Sequence, residues 1–129
     1  MKKIMVICAM LLGMLSVANA EDKADISFDS ITYDFGEFPE TEPVQTCSFT
    51  FTNTGSAPLI INQATASCGC TVPTYTKTPI APGEKGTIDV TYDGSGRIPG
   101  HFKKTITVRT NGTTEVVRLY IEGDMKEAE

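Results

Sequence analysis

Apolar and polar residues alternate along most of the chain beyond residue 25. The alternating segments place aliphatic or aromatic side chains on one face and Thr, Ser or charged side chains on the other; they are residues 26–29, 46–52, 87–92, 105–109 and 117–122. Because successive side chains of a β-strand point to opposite sides, this period of two predicts half-buried strands. The continuous apolar run Leu59–Ile61 indicates the start of a further strand.

Turn-forming residues separate these segments at the spacing of a compact β-protein. They are Asn53–Ser56, Pro79–Gly86, Gly94–Gly100 and Asn111-Gly112, the last being a strong hairpin signal. No segment after residue 20 keeps an apolar period of 3.6 residues for a useful length, which argues against any helix longer than a turn or two. The pattern predicts an all-β protein, a single β-sandwich of about seven strands.

The first twenty residues predict a cleaved export signal. Lys2 and Lys3 form a basic start, residues 4–15 form an apolar run, and small residues then supply the A-x-A arrangement of a cleavage site. We expect cleavage between Ala20 and Glu21, and export to the periplasm or the extracellular space. The apolar run is shorter than the ~20 residues that cross a bilayer, so we expect no membrane span in the mature chain.

Length and charge indicate one acidic domain, residues 21–125, followed by a short tail, residues 126–129. The net charge of the 129-residue chain is −5 and becomes −7 when the two lysines of the signal are removed. Such a charge argues against a nucleic-acid partner. The calcium-loop pattern D-x-D-x-D-G and the haem motif C-x-x-C-H are both absent from the sequence, so we expect no cofactor.

Five segments follow one another in the order typical of one protein family. They are YDFGEF (Tyr33–Phe38), FTFTNTGSAPLII (Phe49–Ile61), SCGCT (Ser67–Thr71), IAPGEKGTIDVTYD (Ile80–Asp93) and GHFKKTITVRTN (Gly100–Asn111). Together they resemble the DUF1573 family of exported bacterial domains, over nearly the whole chain after the signal. The resemblance implies an immunoglobulin-like sandwich, similar to ASPM–SPD-2–Hydin and major-sperm-protein domains, and a location in the cell envelope. It implies no activity.

A role in packing, in a turn or at the surface accounts for most segments of the chain, but it does not readily account for Cys68-Gly69-Cys70. In an extended strand the two Cα atoms would be ~6.6 Å apart, whereas a disulfide brings its Cβ atoms to ~3.8 Å. A direct bond therefore requires a bend at Gly69, the residue type that bends most freely. A bond that closes so small a ring should be easily reduced, so the motif suggests a redox-responsive pair.

Cys47 leaves the thiol connectivity open, because Cys8 is lost with the signal and three cysteines remain. Cys47 has the parity of two phenylalanines in its strand, so a free thiol that packs in the core is its plainest explanation. A structural disulfide from Cys47 to Cys68 or Cys70 is the alternative, and would stabilise the fold by ~3 kcal/mol.

Metal binding is a third hypothesis for the thiols. Cys47, Cys68, Cys70 and His101 add up to a ligand set that zinc accepts, and Cys68 with Cys70 could hold copper(I). Nothing in the spacing brings His101 near the cysteines.

The sequence contains no recognisable catalytic constellation, so we expect a protein that is not an enzyme. His101 is the only histidine, lies beside Gly100 in a predicted turn, and is accompanied by no G-x-S-x-G motif. Two surface features are secondary hypotheses. Ser30 lies in a short pattern that resembles an O-glycosylation acceptor. The aromatic residues Tyr33, Phe35 and Phe38 are predicted to pack onto the sandwich, with a recognition surface as the alternative.

The sequence thus predicts an exported, non-enzymatic immunoglobulin-like module that binds or braces another envelope component, either a protein or a polymer. This inference rests on the fold and on the absence of catalytic motifs. The alternative is a thiol-dependent role, redox or metal-handling, at Cys68-Gly69-Cys70.

Overall fold

The computed structural model describes residues 22–128, which form eight β-strands. The strands are β1 (Ile26–Phe28), β2 (Thr32–Pro39), β3 (Val44–Asn53), β4 (Ile61–Ala66), β5 (Thr71–Tyr75), β6 (Lys85–Asp93), β7 (Gly100–Thr110) and β8 (Val116–Lys126). The predicted signal and its cleavage site at Ala20 and Glu21 lie outside these residues. No helix in the described part of the chain is long and apolar enough to cross a membrane.

The strands form two four-stranded sheets that pack face to face. Their orders are β1-β3-β6-β5 and β2-β8-β7-β4. All neighbouring strands are antiparallel except β2 and β8, which are parallel. The apolar faces predicted from the alternation meet between the sheets, where the largest fully buried side chains are Phe51, Leu59, Ile88, Ile106, Leu119 and Ile121. The predicted β-sandwich is therefore confirmed.

Six of the eight strands correspond to the five alternating segments and the run Leu59–Ile61, and the remaining two, β2 and β5, were not predicted by the alternation. In β2 the register against β8 shifts between Asp34 and Glu37, and Gly36 adopts a φ of 71° there. This bulge breaks the period of two, so that Phe35 and Phe38 both pack on the core although they are three residues apart. β5 contains Pro73, which a strand accepts at the edge of a sheet.

Asn53 is fully buried at the end of β3, and its side-chain amide makes four hydrogen bonds. Nδ2 donates to the carbonyl oxygens of Ala57, at 2.8 Å, and Ile80, at 2.9 Å. Oδ1 accepts from the backbone N–H groups of Gly55, at 2.9 Å, and Asp25, at 3.3 Å. The amide therefore joins the turn after β3 to both the N-terminal segment and the loop before β6.

Residues 111–115 connect β7 to β8 and confirm the predicted hairpin. Gly112 does not take the left-handed φ that its place in a tight turn would suggest. Instead, a Cβ atom at Gly112 would lie 2.7 Å from the carbonyl oxygen of Ala24. Glycine is required here because the N-terminal segment passes close by.

Candidate functional site

The segment Cys68-Gly69-Cys70 forms the turn that carries the chain from one sheet to the other. It connects β4 and β5, which are edge strands of different sheets. On one side the N–H of Ser67 donates to the Thr105 carbonyl oxygen of β7 at 2.9 Å. On the other side the N–H of Asp93 donates to the Cys70 carbonyl oxygen at 2.8 Å. The turn is therefore anchored to both sheets and lies at one end of the sandwich edge that β4 and β5 form.

A disulfide joins Cys68 and Cys70, whose Cα atoms are 5.2 Å apart. The backbone thus bends relative to an extended strand, and the N–H of Thr71 closes the turn by donating to the Cys68 carbonyl oxygen at 3.1 Å. The expectation that the bend depends on glycine is not met. Gly69 has no left-handed φ, and a Cβ atom there would meet nothing within 4 Å. Space outside Gly69 is open.

The two sulfur atoms have different surroundings. Cys70 is 8% exposed and belongs to the core, whereas Cys68 is half-buried at the core's margin. Cys68 Sγ accepts two hydrogen bonds, from Arg97 Nη2 and from the Cys70 N–H, each 3.1 Å long. For Cys70 Sγ the one polar contact found among the described residues is the Thr71 hydroxyl, at 3.6 Å. Hydrogen-bond donors, one of them charged, therefore converge on the more accessible sulfur.

Arg97 is a site residue that the sequence reasoning missed. It lies in the loop between β6 and β7, where its N–H donates to the Gly94 carbonyl oxygen at 3.0 Å. Gly96 takes a φ of 75°, and the Asp93 carboxylate accepts the Ser95 N–H at 2.9 Å. The sequence marked this stretch as a turn, and a single cation inside a glycine-rich loop was the only available signal. Its contact with Cys68, 29 residues away, is decided by the packing of the loop.

A shallow cleft of about 570 Å³ adjoins the disulfide. Arg97 reaches from the wall of this cleft to Cys68, and His101 and Lys104 of β7 also line it. Apolar lining comes from Tyr92 and Phe102, whose rings stack with their centroids 4.0 Å apart. The cleft thus presents basic groups above an aromatic floor, in a chain whose net charge is negative.

Cys47 is a free thiol remote from the disulfide. Cys47 of β3 and Pro73 of β5 both pair with Val90 of β6, from opposite sides. Strands β3 and β5 are therefore two strand spacings apart, about 9.6 Å. Cys70 lies farther still from Cys47, because it precedes β5 and bonds to Asp93, three residues along β6 from Val90. The separation exceeds the ~7 Å between Cα atoms that a disulfide tolerates. Cys47 is half-buried, and burial, aided by the Asp89 carboxylate, raises the pKa of its thiol to about 11. The structure thus contains the free thiol and not the alternative pairing with Cys68 or Cys70.

The proposed metal ligands do not come together. The sulfur atoms of Cys68 and Cys70 are bonded to each other, Cys47 lies two strands away, and His101 lies in β7 rather than in a turn. His101 Nδ1 is 3.2 Å from an Asp124 carboxylate oxygen at the surface. Among residues 22–128 no group of three His, Cys, Asp or Glu side chains is placed to hold a metal ion.

The aromatic residues of β2 mostly pack, as predicted. Phe38 is buried, and its ring centroid lies 5.9 Å from that of Phe102. Phe35 is half-buried against the same cluster, while Tyr33 is 42% exposed and meets Phe35 edge-on at 5.1 Å. Ser30, the glycosylation hypothesis, lies exposed between β1 and β2, where its hydroxyl donates to the Thr32 carbonyl oxygen at 3.0 Å.

Comparisons with known proteins agree with this fold. Residues 26–125 match the DUF1573 family, described as a protein of unknown function, which confirms the resemblance seen in the sequence. No curated protein matches the chain in sequence.

Two solved structures illustrate the architecture. A protein of unknown function from Porphyromonas gingivalis W83 is 15% identical with a TM-score of 0.68; the match covers 84% of this chain but only half, 50%, of that protein. The ASH/PapD-like domain of human CEP192 is 10% identical with a TM-score of 0.64, over 87% of this chain and 92% of that domain.

The periplasmic chaperone SfaE is also similar, with 10% identity and a TM-score of 0.57, over 81% of this chain and 59% of that protein. At these identities the similarity establishes the immunoglobulin-like, PapD-like fold alone.

Proposed function

This chain belongs to the DUF1573 family, and we propose that it is an exported, non-enzymatic module that binds another envelope protein by adding one of that protein's strands to its own sheet. The observation that carries the proposal is the unprotected outer edge of β4. The fold supports it, since an open sandwich presents unpaired backbone groups at its edge strands.

The four edge strands differ in how well they resist pairing with another chain. β1 has only three residues. β2 carries a bulge at Gly36, charged side chains and a terminal proline, and β5 contains Pro73. Short length, bulges, charges and proline are the features with which proteins protect an edge. β4, with the sequence INQATA, has neither a charge nor a proline, and its one irregularity lies at its start, between Ile61 and Gln63.

The free backbone groups of β4 can be assigned. The Ser67 N–H points toward β7, because it donates to Thr105. Backbone groups of successive residues point to opposite edges of a strand, so the Thr65 N–H also points toward β7. The N–H and C=O groups of Ala64 and Ala66 therefore point away from the sheet. Their side chains pack on the core, whereas the Thr65 side chain is exposed. A partner strand could pair at Ala64 and Ala66 without repacking the sandwich.

Export is part of the proposal and is supported by the signal pattern of the first twenty residues. The intact mass of the protein made in its native host tests it. A mature N-terminus at Glu21 is expected, and recovery of the full-length chain from the cytoplasm would contradict export.

The binding proposal is tested by chemical crosslinking in an envelope extract, followed by capture of the protein and identification of what it retains. Thr65→Lys places a charge on the proposed edge, and Ala64→Pro removes an outward N–H while leaving the bonds between β4 and β7 in place. Both variants should lose the captured protein. Thr32→Lys, an exposed threonine on the opposite edge strand of the same sheet, is the matched control and should retain it.

Thermal unfolding of each variant verifies that the fold is intact. If Thr65→Lys retains the same captured proteins as the unmodified chain, or if crosslinking recovers none from the unmodified chain, binding through β4 is wrong.

A further inference from the structure

The disulfide is asymmetric in a way that distinguishes its two sulfur atoms chemically. Thiol–disulfide exchange begins with the attack of a thiolate on one sulfur and expels the other. Cys70 is enclosed by the core, while Cys68 is half-buried beside open space over Gly69. An incoming thiolate therefore reaches Cys68 Sγ, and Cys70 Sγ is the leaving group.

The donors on Cys68 Sγ suit a thiolate better than a disulfide sulfur. A disulfide sulfur is a weak hydrogen-bond acceptor, yet a guanidinium and a backbone N–H both point at it from 3.1 Å. Hydrogen bonds to an ionised acceptor are about twice as strong as those between neutral groups. Nearby cations and N–H groups also lower the pKa of a thiol. These donors would therefore stabilise the negative charge that appears on Cys68 when the bond is reduced.

The cleft beside Cys68 indicates what kind of thiol would enter. Arg97 and Lys104 take part in neither of the two ion pairs found among residues 22–128. His101, the remaining basic residue of the lining, lies against the Asp124 carboxylate, and the Asp93 carboxylate at the end of β6 accepts the Ser95 N–H. Arg97, which contacts the sulfur, and Lys104, which lines the same cleft, favour a thiol that carries carboxylate groups.

We propose that Cys68–Cys70 is a thiol–disulfide exchange site that accepts two electrons from an acidic dithiol, a peptide or protein with two thiols beside carboxylates. In the first step a partner thiolate bonds to Cys68 Sγ, the Cys68–Cys70 bond breaks, and Cys70 Sγ takes the electron pair and then a proton from solvent. In the second step the other partner thiol, as thiolate, attacks its own mixed-disulfide sulfur. The bond to Cys68 breaks, and Cys68 leaves as a thiolate stabilised by Arg97. The partner is oxidised to a disulfide and this protein is reduced to a dithiol.

The first experiment measures exchange with three small probes, 3-mercaptopropionate, 2-mercaptoethanol and cysteamine, compared at equal thiolate concentration on the oxidised, exported protein. Rates on a short unfolded peptide containing SCGCT correct for the different basicities of the three thiolates. Relative to that peptide the anionic probe should be accelerated most and cysteamine least, and added salt should reduce the difference. In the unmodified protein, acid quenching early in the reaction followed by mass mapping should find the mixed disulfide on Cys68 and a free thiol on Cys70. Equal acceleration of the three probes relative to the unfolded peptide would overturn the acidic class of substrate.

The second experiment measures the alkylation rate of reduced Cys68 against pH, and the equilibrium with a reference dithiol. Arg97→Gln should raise the pKa of Cys68 and shift the equilibrium roughly tenfold toward the disulfide, about 30 mV more reducing. Arg109→Gln removes an exposed arginine at the other end of β7 and should change neither. Lys104→Gln should weaken the preference for the anionic probe without moving the pKa of Cys68 as far.

Identical pH profiles and equilibria for Arg97→Gln and the unmodified protein would overturn the role of Arg97. No exchange faster than that of a short unfolded peptide containing SCGCT would overturn the site. This inference stands apart from strand binding, because Thr65→Lys should leave exchange with the small probes unchanged.

Discussion

Reduction of the Cys68–Cys70 bond should lower the free energy of unfolding only slightly. The bond closes a ring across a sequence separation of two. The chain-entropy relation for a ring of three residues gives a stabilisation of about 1.6 kcal/mol at 25 °C, against about 3.4 kcal/mol for the longer loop that Cys47 and Cys68 would have closed. For a domain of this size, 1.6 kcal/mol corresponds to a decrease in Tm of about 6 °C.

The structure gives reasons for such a small effect beyond the size of the ring. The hydrogen bonds that anchor the turn, from Ser67 to Thr105 and from Asp93 to Cys70, use backbone groups and remain available after reduction. The reduced Cys70 thiol is small and apolar enough to stay in the core. Reduction should therefore change the chemistry of the turn and leave the sandwich folded.

Urea unfolding followed by far-ultraviolet circular dichroism tests this magnitude, with and without a phosphine reductant. The Cys68→Ser/Cys70→Ser double variant is the control, since the reductant should leave its unfolding midpoint unchanged. A loss above about 3 kcal/mol, or a loss of cooperative unfolding, would refute the reasoning. The disulfide would then be a structural bond, and this would contradict a thiol–disulfide exchange site, whose bond must break in every cycle.

Three further predictions concern the rest of the sandwich. Asn53→Ala removes four hydrogen bonds from a fully buried position and should lower the free energy of unfolding by about 4 kcal/mol in urea titrations; a loss below about 1.5 kcal/mol would contradict the role given to the amide. Gly86→Ala should cost ~1–3 kcal/mol. The reason is that its Cβ atom would lie 2.6 Å from Cζ of the buried Phe51 ring. Gly69→Ala, the matched control in open space, should be nearly neutral, and equal losses for the two variants would contradict this. The pKa of the Cys47 thiol is raised to about 11 in the folded state. The contribution of the neutral thiol to the free energy of unfolding is therefore complete below the unfolded pKa, and it is lost as pH rises from about 9 to about 11. Stability measured over this range should fall more steeply for the unmodified protein than for Cys47→Ala, and parallel curves would contradict the shift.

Much of the fold follows from local patterns in the sequence. The alternation around Phe49 and Phe51, and around Ile106 and Val108, predicts both the strands and their buried faces, because a half-buried strand needs a period of two. The hairpin between β7 and β8 is likewise visible as Asn111-Gly112. Where another interaction overrides the period, the prediction fails. β2 is hidden by the bulge at Gly36, and β5 by the proline that only an edge strand tolerates.

The candidate site divides in the same way. The sequence alone identified Cys68-Gly69-Cys70 as a candidate site. Two cysteines one residue apart can form a disulfide, bind a metal ion or remain free thiols, and their spacing is enough to suggest all three. The packing of the two sheets and their loops decides which of these possibilities applies and which sulfur is accessible. It also decides that Arg97 reaches Cys68 from a loop 29 residues away. Hydrophobic periodicity and turn residues act over a few positions and are written in the sequence, whereas contacts between distant loops exist only once tertiary packing has brought them together.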